Sequence, residues 1–166
     1  LGMPMIEHVR RRVAMCESID GVYVATCDKE IFDAVEGFGG EAIMTSTIHQ
    51  RASDRVAEVA ENMDADIFVL VQGDEPMTLP EMIDRAVEPM IEDPKIVCVN
   101  LTKRIDSLES WRDPNTIKVV IGTNGDALYF SRQPIPTDLI LGTDGIPMFK
   151  QVCIIPFRRE FLLEYS

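Results

Sequence analysis

VLVQGDEPM, residues 69–77, ends an apolar run on an amide, a glycine and two adjacent carboxylates. The run begins earlier, as DIFVLV at residues 66–71. Its five apolar residues at 67–71, without alternation, read as a strand covered on both faces. Polar residues directly after such a strand sit where open α/β sheets bind ligands, at the carboxyl ends of their strands. The rest of the chain has to show whether that sheet exists.

It alternates in the required way. Met5 to Cys16 is helical, with Met5, Ile6, Val9, Val13 and Cys16 at spacings of three and four. GVYVAT at 21–26 is a strand, and Glu30 to Phe38 is a helix with Ile31, Val35 and Phe38 on one face. Gly39-Gly40 supplies its stop. EAIMTS at 41–46 is a short strand into a loop. Ser53 or Asp54 can cap a helix reaching Met63, with Val56, Val59, Ala60 and Met63 inward. After 66–71, Pro80 opens a helix to about Glu92, and Pro89 can kink its end. KIVCVNL (95–101) is a strand and SLESW (107–111) a helical turn. TIKVVIG (116–122) and ALYFSR (127–132) form a hairpin around Asn124-Gly125. Residues 133–148 are a loop rich in Pro, Gly and Asp, KQVCIIPF (150–157) is a strand, and FRREFLLEYS starts an amphipathic helix. The pattern predicts an α/β fold, a doubly wound and mostly parallel sheet with a late antiparallel hairpin, in one domain over 1–166.

The 166 residues carry a formal charge of −12, which argues against a general nucleic-acid or anionic-membrane binder. Cys16, Cys27, Cys98 and Cys153 show no C-x-x-C spacing, so they read as reduced, structural thiols suited to the cytoplasm. No run approaches the ~20 apolar residues of a membrane helix. EGFGGEA does not give the G-x-G-x-x-G of a dinucleotide-binding oxidoreductase. The chain begins at Leu1 and stops inside a helical pattern, so both ends look cut.

Within QGDEP, Gly73 permits close backbone approach, and Asp74 offers oxygen to a hard cation such as Mg2+. The same residues also fit a solvated turn in which Asp74 or Glu75 caps the next helix.

The wider constellation separates these readings. VQGDEPM resembles the signature of the 3-deoxy-manno-octulosonate (Kdo) cytidylyltransferases. PMIEHV, VYVAT, HQRASDRVAEV, DPNTIKVV and ALYFSRQPIP match further segments of that family, in order and across nearly the whole chain. The resemblance implies a Rossmann-like nucleotidyltransferase fold, a homodimer and Mg2+ as cofactor. It implies attack of the anomeric hydroxyl of Kdo on the α-phosphorus of CTP, with loss of pyrophosphate, in the synthesis of lipopolysaccharide precursors. Such phosphoryl transfer needs positioning and charge neutralisation, not a covalent nucleophile. Asp74 then matches the magnesium-binding aspartate, and with Arg132 it forms the expected catalytic pair. Gln72, Gly73 and Arg55 match the nucleotide side; Arg132, Ser131, Gln151 and His49 match the sugar-acid side. Other readings of these positions are a strand-end amide for Gln72, a helix-face ion pair with Glu58 for Arg55, and a surface arginine for Arg132. Lys118 reaches a phosphate or solvent, Tyr129 belongs to the core, and Asn115 shapes a turn.

Departures from the family narrow the expectation. The first strand with its triphosphate loop, and the C-terminal part with a second metal-binding aspartate, have no counterpart in these residues, so an apolar strand edge should be left open. Arg51-Ala52-Ser53 replaces a serine-glycine-threonine run, and Cys27 stands in place of Asp in VATD. Gln151 replaces histidine beside the sugar site, which fits a modified sugar acid. Two alternatives remain: a sialic-acid-like substrate, or a catalytically incomplete chain that folds, dimerises or binds nucleotide weakly.

Overall fold

The run after Asp66 forms a strand in the computed structural model, which describes residues 2–136 and 147–166. Contacts group the chain into two compact units, Leu1–Asn100 with Cys153–Ser166, and Leu101–Val152.

The first unit runs α1 (Met5–Val13), β1 (Tyr23–Thr26), α2 (Lys29–Gly37), β2 (Glu41–Met44), α3 (Ala52–Glu61), β3 (Ile67–Val71) and α4 (Pro80–Glu92). It closes with β8 (Ile154–Arg158) and α6 (Arg159–Tyr165). β1 and β2 pair in parallel, joined by α2, as a parallel pair needs a crossover connection. β3 pairs antiparallel with β8. β1 and β3 are not hydrogen-bonded to each other, although α3 packs on both. Ala57 and Ala60 of α3, Phe68 and Leu70 of β3, Phe157 of β8 and Leu162 of α6 form the core.

The second unit holds β4 (Thr102–Arg104), α5 (Leu108–Arg112), β5 (Lys118–Ile121), β6 (Ala127–Ser131) and β7 (Phe149–Gln151). Its antiparallel sheet has the order β4-β7-β5-β6, and β5–β6 is the expected late hairpin. The Pro-, Gly- and Asp-rich loop is described only at 133–136 and 147–148; its remainder lies outside the described residues.

Several local expectations change. β3 alternates, with Phe68 and Leu70 buried and Ile67, Val69 and Val71 half-buried. α1 ends at Val13, and Ile31 and Phe38 of the second helical run are partly exposed, leaving Val35 as the buried contact. Ser53 and Asp54 lie inside the first turn of α3; its N-cap is Arg51, without a side-chain cap. KIVCVNL makes one bridge, Cys98 to Phe157, not a strand. Val99 N–H donates to Pro156 O (3.1 Å), but the next rung needs an N–H from residue 156, and proline has none. KQVCIIPF divides at Val152–Cys153, because residues 149–151 pair with β4 and β5 while 154–158 pair with β3.

Candidate functional site

The end of β3 gives the first part of the site. Glu75 N–H donates to Gln72 O (3.2 Å) and Thr78 N–H to Glu75 O (3.1 Å), so two turns carry the chain to α4. The N-cap of α4 is Leu79, with no side-chain cap bond and Pro80 in the first turn. Asp74 and Glu75 therefore do not cap it. Asp74 is exposed, and its carboxylate has no hydrogen-bond partner among the described residues. Gln72 is half-buried, and no bond from its amide to the backbone occurs among the described residues. The close approach at Gly73 is that of Ile6: a Cβ at 73 would stand 2.8 Å from Ile6 Cδ1.

A bare carboxylate at a strand end suits Mg2+, which commonly takes one or two carboxylates together with substrate phosphates and water. Among the described residues no cluster of three or more His, Cys, Asp or Glu side chains could form a protein-only cage. Asp74 fits the first arrangement.

The second part lies between β2 and α3. Arg55 Nη1 donates to Ser46 O (3.2 Å) and to Thr45 Oγ1. Glu58, one helical turn further, accepts Ser46 N–H on both carboxylate oxygens, at 2.9 and 3.2 Å. It also pairs with His49 Nε2. The Ser46 N–H first, then the His49 ring, hold the Glu58 carboxyl below its ordinary value. Arg55 thus grips the loop and makes no ion pair with Glu58 among the described residues. Glu58 and Thr45 join the candidate residues. Their available signal was a carboxylate three residues after Arg55, on the same helix face.

The remaining candidates lie in the second unit. Lys118 is fully buried, and its ammonium donates to Asp113 O (2.6 Å) and Arg132 O (2.9 Å). It meets neither phosphate nor solvent. Burial lowers its pKa, while the charge of Asp113 opposes that shift. Arg132 is exposed and returns a bond from Nη1 to Pro114 O (3.1 Å). Ser131 Oγ accepts Gln133 N–H at 2.9 Å. Asn115 N–H donates to Asp113 Oδ1 (2.9 Å), as a turn-shaping residue should. Ser131 stands opposite Lys118, which stands opposite Lys150. Side chains alternate along a strand, so Gln151 lies on the other face of this sheet from Ser131. Tyr129 is 61% exposed and is not a core residue.

The family model described as Cytidylyltransferase matches residues 1–165. A 3-deoxy-manno-octulosonate cytidylyltransferase of Pelobacter propionicus is 42% identical, over 99% of this chain and 68% of its own length. That of Geobacter metallireducens is 43% identical, over 100% of this chain and 69% of its own. A solved CMP:2-keto-3-deoxy-manno-octonic acid synthetase complexed with CTP superimposes with a TM-score of 0.91 at 40% identity. That match covers 100% of this chain and 68% of the other. The α/β architecture is that of the nucleotidyltransferase fold, and this chain belongs to the cytidylyltransferase family.

Proposed function

We propose that the protein transfers CMP from CTP to the anomeric hydroxyl of Kdo or a related 3-deoxy-ulosonic acid, releasing pyrophosphate for lipopolysaccharide precursor synthesis. The observation that carries this reading is Asp74, exposed at the carboxyl end of β3 and without a partner among the described residues, in a chain of this family. Mg2+ is the cofactor of the reading, and when bound it supplies neutralisation of phosphate charge. Asp74 would hold it. Gln72, an amide that both donates and accepts, orients the nucleoside. Arg55 acts on the nucleotide side through the loop it grips. Arg132, with Ser131 beside it in sequence, meets the carboxylate of the sugar acid, for which a planar guanidinium is suited. Gln151 favours a related sugar acid over Kdo itself. The reaction belongs in the cytoplasm, where CTP is made; among the described residues no helix is long and apolar enough to cross a membrane. A homodimer completes the reading. Among the described residues β6 is an end strand of its sheet, with Leu128 and Tyr129 exposed, and sedimentation velocity checks the dimer.

The test is pyrophosphate release from CTP and Mg2+ with Kdo, its modified relatives and a sialic acid supplied separately. Turnover with a 3-deoxy-octulosonic acid is expected, and Asp74→Asn should lower kcat/KM by about 10²-fold. Turnover with the sialic acid alone would replace the substrate, and no pyrophosphate with any acid would remove the activity.

A further inference from the structure

We infer that Glu58 is a positioning residue for substrate binding: it fixes the loop of residues 45–49 so that His49 presents Nδ1 to a ligand. This rests on the functional reading above and names a residue that reading does not use. The N–H and C=O of Ser46 are both held, by side chains of opposite charge one helical turn apart on α3. Glu58 takes the N–H and Arg55 takes the C=O. Neither of the two peptides that meet at Ser46 can rotate without breaking a charge-assisted bond, which is stronger than a neutral one. Glu58 then adds His49 Nε2. A carboxylate only accepts, so the nitrogen facing it carries the proton. In the neutral ring this leaves Nδ1 as the acceptor, and Nδ1 has no partner among the described residues. The His49 side chain is 17% exposed, enough for contact with a ligand and too little for free rotation. Arg55 also holds the side chain of Thr45, the residue before Ser46. The result is a loop braced at Ser46, with one imidazole nitrogen unpartnered among the described residues.

Two variants separate positioning from folding. Oε2 of Glu58 takes both Ser46 N–H (2.9 Å) and His49 Nε2, so the amide oxygen of Glu58→Gln in that place keeps both bonds, whereas Glu58→Leu removes them and releases the ring. The chain has only two histidines, His8 and His49, so nitrogen NMR of the labelled full chain reads each tautomer directly. The expected result is Nε2–H at His49 in the wild type and in Glu58→Gln, and a mixture of both tautomers in Glu58→Leu. In Glu58→Leu the KM for CTP or for the sugar acid should rise about tenfold, the loss of one net hydrogen bond, with kcat within about twofold. The double variant Glu58→Leu/His49→Ala should bind no worse than His49→Ala alone, because the effect passes through the ring. Turnover by the wild type with an unchanged tautomer in Glu58→Leu, an unchanged KM there or additive losses in the double variant overturns this role alone. A wild type that releases no pyrophosphate overturns the functional reading and this role with it.

Discussion

Lys118 shows what a single residue can hide. Its neighbours in TIKVV are apolar, and alternation along the strand sends its side chain away from theirs. That much is legible, and solvent or a phosphate is the natural destination. The structure instead buries it completely against two carbonyls, 5 and 14 residues distant in sequence. Those acceptors exist only once the β5–β6 hairpin has closed and the Asp113–Asn115 turn has formed, so no local pattern announces them. Gln72 to Asp74 were legible for the opposite reason: their position follows from β3 alone. Lys118→Met keeps the stem and removes the donor from both carbonyls, of which Asp113 O retains Thr116 N–H (3.1 Å) while Arg132 O loses the ammonium. We expect a loss of about 2–3 kcal/mol, read from the urea midpoint at constant slope. A loss below about 0.5 kcal/mol would mean that water replaces the amine there.

At the scale of elements, β8 and α6 meet at two adjacent arginines with separate tasks. Arg158 donates to Ile96 O (3.0 Å) and to Met90 O (2.5 Å), reaching the last turn of α4. Arg159 donates to Ala60 O (2.9 Å), Met63 O (3.2 Å) and Glu61 O (3.3 Å), at the end of α3. Helix ends leave carbonyls without partners, and neither helix has a basic residue in its own last turn. Cations from a distant strand do that work. The sequence shows the helices and the arginines, but not this connection across nearly 100 residues. It likewise conceals why KQVCIIPF divides, since one apolar run serves two sheets and a strand pattern does not name its partners. Arg159→Ala should cost about 2 kcal/mol, with hydrogen exchange rising first in the last turn of α3. Exchange that rises evenly over the whole chain would show that the residue acts on global stability and not on that helix end.

For the whole molecule, the decisive quantity is how its acidity couples to folding. With 28 acidic against 16 basic residues, self-repulsion would push carboxylate pKa values up. The resolved shifts point the other way. Glu7, only 1% exposed at its side chain, is held low first by the Arg10 guanidinium, which reaches both carboxylate oxygens at 2.7 Å, and also by Arg11. Asp54 is held low by Arg51, Glu58 by Ser46 N–H and His49, and Asp84 by Ser18 and Cys16. A carboxylate that titrates alike in the folded and unfolded chain adds no slope; one depressed in the fold does. Its contribution is complete above the unfolded value, 4.5 for Glu and 3.8 for Asp, and disappears as pH falls through the folded value. At these four carboxylates local pairing outweighs repulsion, and on their account Tm should be nearly flat from pH 7 to about 5 and fall steeply below about 4.5. Glu7→Gln gives the internal control. At pH 7 it should cost about 2 kcal/mol, for three charge-assisted bonds on a buried group. That difference should shrink as pH falls through the Glu7 pKa, because the wild-type side chain is then neutral too. Thermal melts of the two proteins across this range measure both effects. A wild type whose Tm rises on acidification would show that repulsion among the 28 carboxylates dominates after all.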